Sequence, residues 1–581
     1  MPLTPEMRRK VDQIRDYLYG GGYPDPLSNA EQLSFLFFFY MIEGIDAANL
    51  RQAKATRRPY DSLFAGDWTL KNPRNAPAEG VKEIPRDRMR WSSWAAAMSG
   101  AELVTFVRDE VFPFFAEIGD RFGMSFMAQA RLVVDEPTVL TQIVSLVNEL
   151  RLEQADPDTK GDLFEHVLRQ IKQAGELGQF RTPRHIIRAI VDMVDPRIGE
   201  KVYDPAAGTA GFLVAAYERI RLDNSSRTGR DRAELEGKEF ERGYGDQLSQ
   251  QQWHRLRTET FYGNDVDPKM VSLASMNLAL RGLPDVRILK RNVLTSTFDR
   301  QEKAERGLPL DGYDVILANP PFSGRLDRDR IVEEVKVGTS TSTELLFVKY
   351  MIDSLKPDGR CGVIVPEGVL FGSTGAHREL RRMLVRNNRV EAVLSLPGGV
   401  FQPYSGVKTS VLIFAKGGTT EKVMFLYAAN DGFKLDANHD QPIAADDLPG
   451  LIGAFNSRDD LWDDWRERHP DATWTENWWF ADADAIERED WNLSASRYRP
   501  ESRETVEHRD PRALLAELQE EVAAILGDIE ALQAEMAEPG APRPSVIASR
   551  RRSNPEASAP ASEAIAGDTE TLRVEIGRPR R

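Results

Sequence analysis

The chain has 581 residues, 41% of them hydrophobic and 29% charged, proportions that are typical of globular domains with a sizeable core. Its net charge of −15 lacks the basic footprint of a protein that grips nucleic acid unaided, so any basic surface is local or comes from a partner. A single cysteine, Cys361, excludes an internal disulfide and a thiolate zinc site, and it fits a reducing cytoplasm.

Residues 1–155 are predicted to form an all-helical N-terminal domain. Their apolar residues recur at helical spacing, as at Leu140, Ile143, Val144 and Val147. The apolar run at residues 33–42 is too short to span a bilayer and is interpreted as a buried helix. The chain starts with polar residues rather than a signal-peptide pattern, and we expect no membrane association.

Residues 156–500 are predicted to form an α/β domain with a Rossmann-like, doubly wound sheet, because short β-rich runs alternate with helical segments. The predicted strands are 201–203, 261–263, 286–289, 315–317, 361–365, 392–394 and 411–414. The predicted helices are 210–220, 268–281, 343–355 and 374–386. The charged stretch 222–258 is interpreted as an inserted surface segment, and the pattern in 417–490 indicates no function.

Residues 204–213, Asp-Pro-Ala-Ala-Gly-Thr-Ala-Gly-Phe-Leu, follow the first strand and open a helix. Small residues allow close approach of the backbone to a ligand, and the helix N-terminus supplies N–H donors. Asp204 can pair with an ammonium group, Asp265 can bind two ribose hydroxyls, and Asn292 can bond an adenine edge. The pattern indicates a nucleoside site, with a glycine-rich turn and a solvated aspartate as the alternatives.

Asn319-Pro320-Pro321-Phe322 directly follows the fourth predicted strand. The Asn319 side-chain oxygen and the Pro320 carbonyl are acceptors that can take both protons of an amino group conjugated to a ring or an amide. Phe322 can stack on an extruded base, and two prolines stiffen the loop. The alternative is a Pro-Pro turn that merely ends a strand.

Together these motifs resemble those of the S-adenosylmethionine-dependent amino methyltransferases of DNA, and in particular the methylation subunits of type I restriction-modification systems. Gly-Gln-Phe-Arg-Thr-Pro-Arg at 178–184 resembles that family's segment folding over the methionine part of the cofactor. Further segments similar to the family are 355–360, 365–371, 396–401, 492–494 and 497–498. The resemblance spans about residues 130–500.

The resemblance implies S-adenosyl-L-methionine as the cofactor and no metal. The implied cofactor-binding residues are Gln179, Phe180, Arg181, Thr182, Pro183, Arg184, Asp204, Ala207, Gly208, Thr209, Ala210, Gly211, Asp265 and Asn292. The implied catalytic residues are Asn319, Pro320, Pro321 and Phe322. The implied reaction is methylation of N6 of a flipped adenine in double-stranded DNA. The choice of adenine over cytosine N4 depends on the resemblance, since Asn319 alone does not separate them.

The family also implies a specificity (S) subunit that selects the DNA sequence, with two methylation subunits for each, and leaves a restriction (R) subunit open. Residues 501–538 carry a heptad seam that suits a partner helix or this chain's own N-terminal helices. Residues 539–581 are predicted to be a disordered tail. Five arginines near the cleft are predicted to contact phosphates or to form a solvated basic face; they are Arg378, Arg381, Arg382, Arg386 and Arg389.

Two rival functions remain open at this stage. A protein methyltransferase acting on a glutamine amide uses similar Asn-Pro-Pro-aromatic chemistry, although such enzymes usually carry Tyr in the fourth place and are smaller. A non-catalytic scaffold for a DNA-recognition partner is the second, but it has no need of the motifs at 204–211 and 319–322.

Overall fold

The computed structural model describes residues 4–56, 59–71, 81–118, 125–172, 182–235, 237–402, 405–436, 439, 441–468 and 474–500. Contacts group Met1–Arg503 into one compact unit. The predicted partner helix at 501–538 and the tail at 539–581 lie outside the described residues, as do Gln179, Phe180 and Arg181. The proposed boundaries between domains therefore stay predictions.

The N-terminal region is built mainly from helices around an aromatic core. Its elements are α1 Pro5–Gly20, α2 Pro26–Thr56, β1 Asp67–Lys71, β2 Val81–Pro85, α3 Trp91–Trp94, α4 Gly100–Phe106, α5 Phe112–Ile118 and α6 Pro137–Glu149. Phe39 of α2 stacks on Phe115 of α5 with ring centroids 4.6 Å apart, and Phe35 meets Phe112 edge-on at 5.5 Å. Such aromatic pairs stabilise a core beyond their buried area.

The apolar run at 33–42 lies within α2, and its prediction as a buried helix is confirmed. The helix extends well beyond the run, and its part Pro26–Arg51, with a mean hydropathy of 1.3, meets the length and composition of a membrane span. Half of the window that meets this test is buried inside the protein. Leu33, Phe37 and Met41 are among the side chains that pack in the aromatic core.

One hairpin interrupts the helical N-terminal region, where the sequence indicated helices alone. Strands β1 and β2 pair antiparallel, with Trp68 opposite Ile84. Trp68 and Leu70 alternate inward and are buried in the same core as the helices. Each strand has only five residues, so the period-2 pattern is too short to stand out from the sequence.

The region predicted as the α/β domain, residues 156–500, contains a nine-stranded sheet in the order β15-β12-β10-β11-β9-β8-β3-β6-β7. Its elements up to residue 416 are α7 Pro157–Lys172, α8 Arg184–Val194, β3 Val202–Asp204, α9 Gly211–Asp223, β4 Arg230–Leu235, β5 Lys238–Gly243, α10 Gln250–Thr258, β6 Phe261–Asp265, α11 Pro268–Leu280, β7 Arg287–Lys290, α12 Arg300–Glu305, β8 Tyr313–Ala318, α13 Thr343–Ser354, β9 Leu355–Pro366, α14 Glu367–Phe371, α15 Gly375–Asn387, β10 Asn388–Ser395 and β11 Thr409–Lys416. All seven predicted strands are present.

The strands β7, β6, β3, β8 and β9 run parallel, and β11 is antiparallel to its neighbours β9 and β10. Successive residues of a strand serve opposite faces. Val315 and Leu317 of β8 pack with α8 and α9, whereas Ile316 and Ala318 pack with α13 and α15. Helices therefore cover both faces, which is the predicted doubly wound methyltransferase fold. The strand order reverses between β3 and β8, where such sheets bind their ligands.

The helix α11 is shared by two cores. Ala274 and Leu278 pack toward the sheet. The opposite side of the helix enters the aromatic core of the N-terminal region through Met270, Leu273, Met276 and Leu280.

The chain after residue 416 continues the sheet, which the sequence did not indicate. Its elements are β12 Lys422–Tyr427, β13 Asp431–Phe433, β14 Pro442–Asp446, α16 Leu448–Asn456, α17 Arg458–Arg468, β15 Trp478–Asp482 and α18 Ala483–Arg488. Strand β12 pairs parallel with β10, and β15 pairs antiparallel with β12. Trp478 and Trp479 face opposite sides of the sheet, and Trp479 is completely buried.

The segment 222–258 is anchored rather than merely superficial, which corrects its interpretation as a surface insert. It contains the β4–β5 hairpin and α10. The guanidinium of Arg242 on β5 donates two hydrogen bonds, of 3.0 and 2.9 Å, to the carboxylate of Asp162 on α7. Both residues are buried. Pairing across elements removes the cost of burying these charges, and charge composition alone does not reveal it.

Candidate active site

Four of the predicted site residues end or follow parallel strands at one edge of the sheet. Asp204 ends β3, Asp265 ends β6, Asn292 follows β7 and Asn319 follows β8. Because these strands are parallel, their carboxyl ends lie along the same edge. A direct contact joins two of the motifs, since the Gly208 N–H donates to Asp265 Oδ2 at 3.0 Å.

The loop between β3 and α9 is held in a curled conformation. Gly208 and Ala210 have φ values of +51° and +64°, in the left-handed region. A Cβ on Gly208 would meet nothing within 4 Å, so the glycine serves the backbone conformation rather than relieving a close contact. Asn277 of α11 fixes the loop from behind, because its Nδ2 donates to the Thr209 carbonyl at 2.8 Å.

Asp204 is a buried carboxyl group whose ionised form is disfavoured. Its side chain accepts a hydrogen bond from the Ala206 N–H at 3.0 Å, and the residue is only 1% exposed. Burial raises the pKa of Asp204 to about 8, and the negative charge of Asp265 contributes. Burial also raises the pKa of Asp265, against the hydrogen bonds from Asp267 and Gly208. Two such carboxyls favour a ligand with a positive group and hydroxyl donors.

Asn319 presents an unsatisfied acceptor. Its Nδ2 donates to Thr182 Oγ1 at 2.9 Å, which fixes the orientation of the amide. Its Oδ1 is buried and has no hydrogen-bond partner among the described residues. A buried carbonyl oxygen without a partner costs about 1–3 kcal/mol, so its presence calls for a ligand donor.

The rest of the Asn-Pro-Pro-Phe loop is anchored at its far end. The N–H of Ser323, whose φ is +61°, donates to the Glu344 carboxylate at 2.5 Å. Pro320 is buried and Pro321 is exposed. Phe322 is 8% exposed, and its ring meets that of Phe401 edge-on, with centroids 5.5 Å apart. A base can stack on Phe322 only where a face of the ring becomes accessible.

The described part of the predicted methionine segment is Thr182, Pro183 and Arg184. Pro183 precedes α8 as its N-cap, and the Arg184 Nη1 donates to the Gly211 carbonyl at 2.9 Å. The same guanidinium contacts Glu165 of α7, which is 1% exposed. Arg184 therefore joins α7 and α8 to the start of α9.

Asn292 uses its side-chain oxygen in a turn, because Oδ1 accepts from the Leu294 N–H at 3.1 Å. Its NH₂ group can donate hydrogen bonds to acceptor atoms of a ligand. Sequence reasoning missed the supporting residues Glu165, Asn277 and Glu344. Their contacts join distant elements, and no local pattern marks them.

Four of the five arginines of the predicted basic face make contacts within the chain, and the fifth, Arg382, is exposed. Arg381 is 2% exposed and donates to the Trp491 and Gly372 carbonyls at 2.8 and 2.9 Å. Arg389 lies in β10, not on the helix, and pairs with Asp358 at 3.1 Å. Arg378 and Arg386 pair with the carboxylates of Asp490 and Glu487. The sequence spacing predicts that these arginines share one face, but in the folded protein those with contacts each bind a different part of the chain.

Known proteins are similar to this chain over most of its length. The chain is 30% identical to the Escherichia coli "Type I restriction enzyme EcoEI methylase subunit" over 461 residues, which cover 76% of this chain and 84% of the relative. It is 26% identical to the EcoKI methylase subunit of Escherichia coli strain K12, covering 79% and 83%.

Solved structures agree with this likeness. A chain from a study of complex assembly and conformational transition of the type I R-M system matches with a TM-score of 0.61 and 26% identity, covering 92% of this chain and 98% of that one. A type I restriction-modification methyltransferase subunit from Streptococcus thermophilus, at 16% identity and a TM-score of 0.57, shares the fold over 85% and 98%.

The family described as N-6 DNA methylase matches residues 155–507, more than half of the chain. That span contains the whole nine-stranded sheet and each of the motifs described above. The chain belongs to the N-6 DNA methylase family.

Proposed function

We propose that this chain transfers the methyl group of S-adenosyl-L-methionine to N6 of an adenine flipped out of duplex DNA, as the modification subunit of a type I restriction-modification complex. The single observation that carries the proposal is the buried Oδ1 of Asn319, which has no partner among the described residues. This atom lies at the end of β8, beside the strand that ends in Asp204. This oxygen can accept a hydrogen bond from the amino group of the target base.

The target nitrogen is a poor nucleophile because its lone pair is delocalised into the purine ring. The Asn319 Oδ1 and the Pro320 carbonyl accept hydrogen bonds from its two N–H groups, and this turns the lone pair toward the electrophile. Thr182 holds the amide of Asn319 in the required orientation through the 2.9 Å bond. Asn319 cannot act as a base, so N6 releases its proton only after alkylation makes it acidic. Positioning and the exclusion of water supply most of the rate.

The residues at the sheet edge fit S-adenosyl-L-methionine, which when bound supplies an electrophilic methyl on a sulfonium. Asp204 pairs with its ammonium group, and this pairing offsets the cost of burying a carboxylate. Asp265 accepts from the ribose hydroxyls, and the Asn292 amide donates to the adenine ring. Gln179, Phe180 and Arg181, outside the described residues, are proposed to cover the methionine part with Thr182, Pro183 and Arg184.

Sequence recognition comes from a partner in this proposal. The net charge of −15 argues against unaided DNA binding. The relatives are named as subunits of restriction enzymes. We expect a specificity subunit bound by two copies of this chain in the cytoplasm, through the heptad segment 501–538. A restriction subunit is compatible with this arrangement.

The experiment compares wild type, Asn319→Ala and the control Asn387→Ala, each purified with its specificity subunit. Asn387 is exposed at the end of α15, away from the sheet edge. Label from radioactive S-adenosyl-L-methionine is counted in DNA and in protein, and cofactor binding is measured by calorimetry. We expect Asn319→Ala to lose DNA methylation and to keep cofactor binding.

The other outcomes contradict the proposal or support one of the two rival functions. Near wild-type methylation by Asn319→Ala contradicts the proposal. Label in protein rather than DNA supports the glutamine-amide methyltransferase. Label in neither, with no cofactor bound by wild type, supports the scaffold.

A further inference from the structure

A buried cluster of two histidines and one aspartate lies apart from the strand-end motifs. His185 is the second residue of α8, Asp431 begins β13, and His439 lies between β13 and β14. The Oδ2 of Asp431 is 2.9 Å from His185 Nε2 and 2.8 Å from His439 Nε2. One ligand atom from each residue can be chosen so that all three lie within 4.8 Å of one another.

The polar atoms of this cluster are poorly satisfied. The side chains of Asp431 and His439 are fully buried, and that of His185 is 12% exposed. The Nδ1 atoms of His185 and His439 are buried without a hydrogen-bond partner among the described residues, and the His439 Nε2 approaches Asp431 Oδ2 without the geometry of a hydrogen bond. A buried imidazole with neither nitrogen bonded is costly unless something else binds it.

We propose that His185, Asp431 and His439 bind a divalent first-row transition-metal ion, with zinc as the ion that suits the ligands best. Two imidazole nitrogens and a carboxylate form a ligand set that zinc and iron(II) both use. Tetrahedral bonds of about 2 Å place ligand atoms about 3.3 Å apart. The observed distances of 2.8 and 2.9 Å need to open by only a few tenths of an ångström. A water molecule reaching the partly exposed side of His185 completes four ligands.

The surroundings already orient the ligands. The Oδ1 of Asp431 accepts from the Phe433 N–H at 3.2 Å, which turns Oδ2 toward the two rings. Phe433 also stacks on His185 with centroids 4.4 Å apart. Supporting contacts of this kind orient metal ligands in known sites.

Lys238 lies beside the cluster, and its charge is balanced by a carboxylate. Its Nζ is 4.8 Å from the centroid of the Phe433 ring and donates to Asp446 Oδ2 at 2.5 Å. The ion would join the start of α8, which follows Thr182 and Pro183, to the β13–β14 sheet. It is a structural ion in this proposal and takes no part in methyl transfer.

The first experiment uses the full chain without a histidine tag. Metal content is measured by mass spectrometry, and chelator-treated protein is titrated with Co²⁺, whose visible absorption reports bound nitrogen and oxygen ligands. We expect about one ion per chain. Zinc chloride should raise the thermal midpoint by about 2–5 °C, because a ligand that binds only the folded state stabilises it.

The variants His439→Gln and Asp431→Asn should each lose the Co²⁺ absorption and the zinc-dependent shift. His254→Gln is the matched control, since His254 is exposed on α10. The titration of wild type is decisive even where a variant fails to fold. If wild type binds no stoichiometric Co²⁺ and zinc leaves its midpoint unchanged, the cluster is a hydrogen-bonded His-Asp-His group and the proposal is overturned.

Discussion

Replacing Asp204 with asparagine should stabilise the protein while it removes cofactor binding. Asparagine keeps the oxygen that accepts from the Ala206 N–H, so the change removes charge with little change of shape. Burial raises the pKa of the native carboxyl to about 8. A carboxyl whose pKa is raised by folding lowers stability as pH increases from its unfolded pKa toward its folded pKa. Below about pH 4 the effect vanishes, and above about pH 8 it is complete.

The magnitude follows from the difference of about four pH units between the folded and unfolded pKa values. At 1.36 kcal/mol per pH unit, ionising Asp204 costs about 6 kcal/mol above pH 8 and about 4 kcal/mol at pH 7. Between pH 5 and pH 8 the advantage of Asp204→Asn should grow by about 4 kcal/mol. The unfolding entropy of a unit of about 500 residues is roughly 1 kcal/mol per kelvin, so this corresponds to about 4 °C.

The assay is scanning fluorimetry of wild type and Asp204→Asn from pH 5 to pH 9, with the exposed residue Asp285 replaced by asparagine as the control. The difference in midpoint should rise with pH for Asp204→Asn and stay flat for Asp285→Asn. Calorimetry should show that Asp204→Asn binds S-adenosyl-L-methionine weakly or not at all. A midpoint difference that is constant or falls with pH would refute the assigned electrostatics.

Two further predictions test the residues that support the site. Thr182→Val should lower kcat for DNA methylation about two- to tenfold, because Asn319 loses the bond that orients it, and Thr182→Ser should restore the rate; an equal loss in both variants would contradict this reason. Glu165→Gln should lower the free energy of unfolding by about 3–5 kcal/mol in urea, since it leaves buried Arg184 with a neutral partner, whereas Glu467→Gln on exposed α17 should change it by less than about 0.5 kcal/mol.

The core of the sheet was predictable from sequence because its strands are short apolar runs that helices separate. The motifs that follow β3 and β8 were recognisable for the same reason, since each joins a buried run to a loop of unusual composition. By contrast, β12 and β15 were missed because the β13–β14 sheet and the helices α16 and α17 lie between them in the sequence. Their pairing depends on contacts that no local period expresses.

The contacts between the side chains of the site were harder to predict than which residues belong to the site. Arg184 was assigned to the cofactor because it ends the segment 178–184, but its guanidinium also contacts Glu165 and Gly211. The bond between Thr182 and Asn319 joins residues that are 137 positions apart in the sequence. His185 and His439 meet only because α8 packs beside the β13–β14 sheet. Side-chain partners of this kind are a property of the folded chain.

The position of α11 between two cores limits how this protein can move. Sliding the N-terminal helices away from the sheet would expose Met270, Leu273, Met276 and Leu280 to water. At about 25 cal/mol per Å² of apolar surface, four such side chains represent several kcal/mol. Motions that keep the N-terminal helices and the sheet together are therefore favoured over motions that separate them at α11.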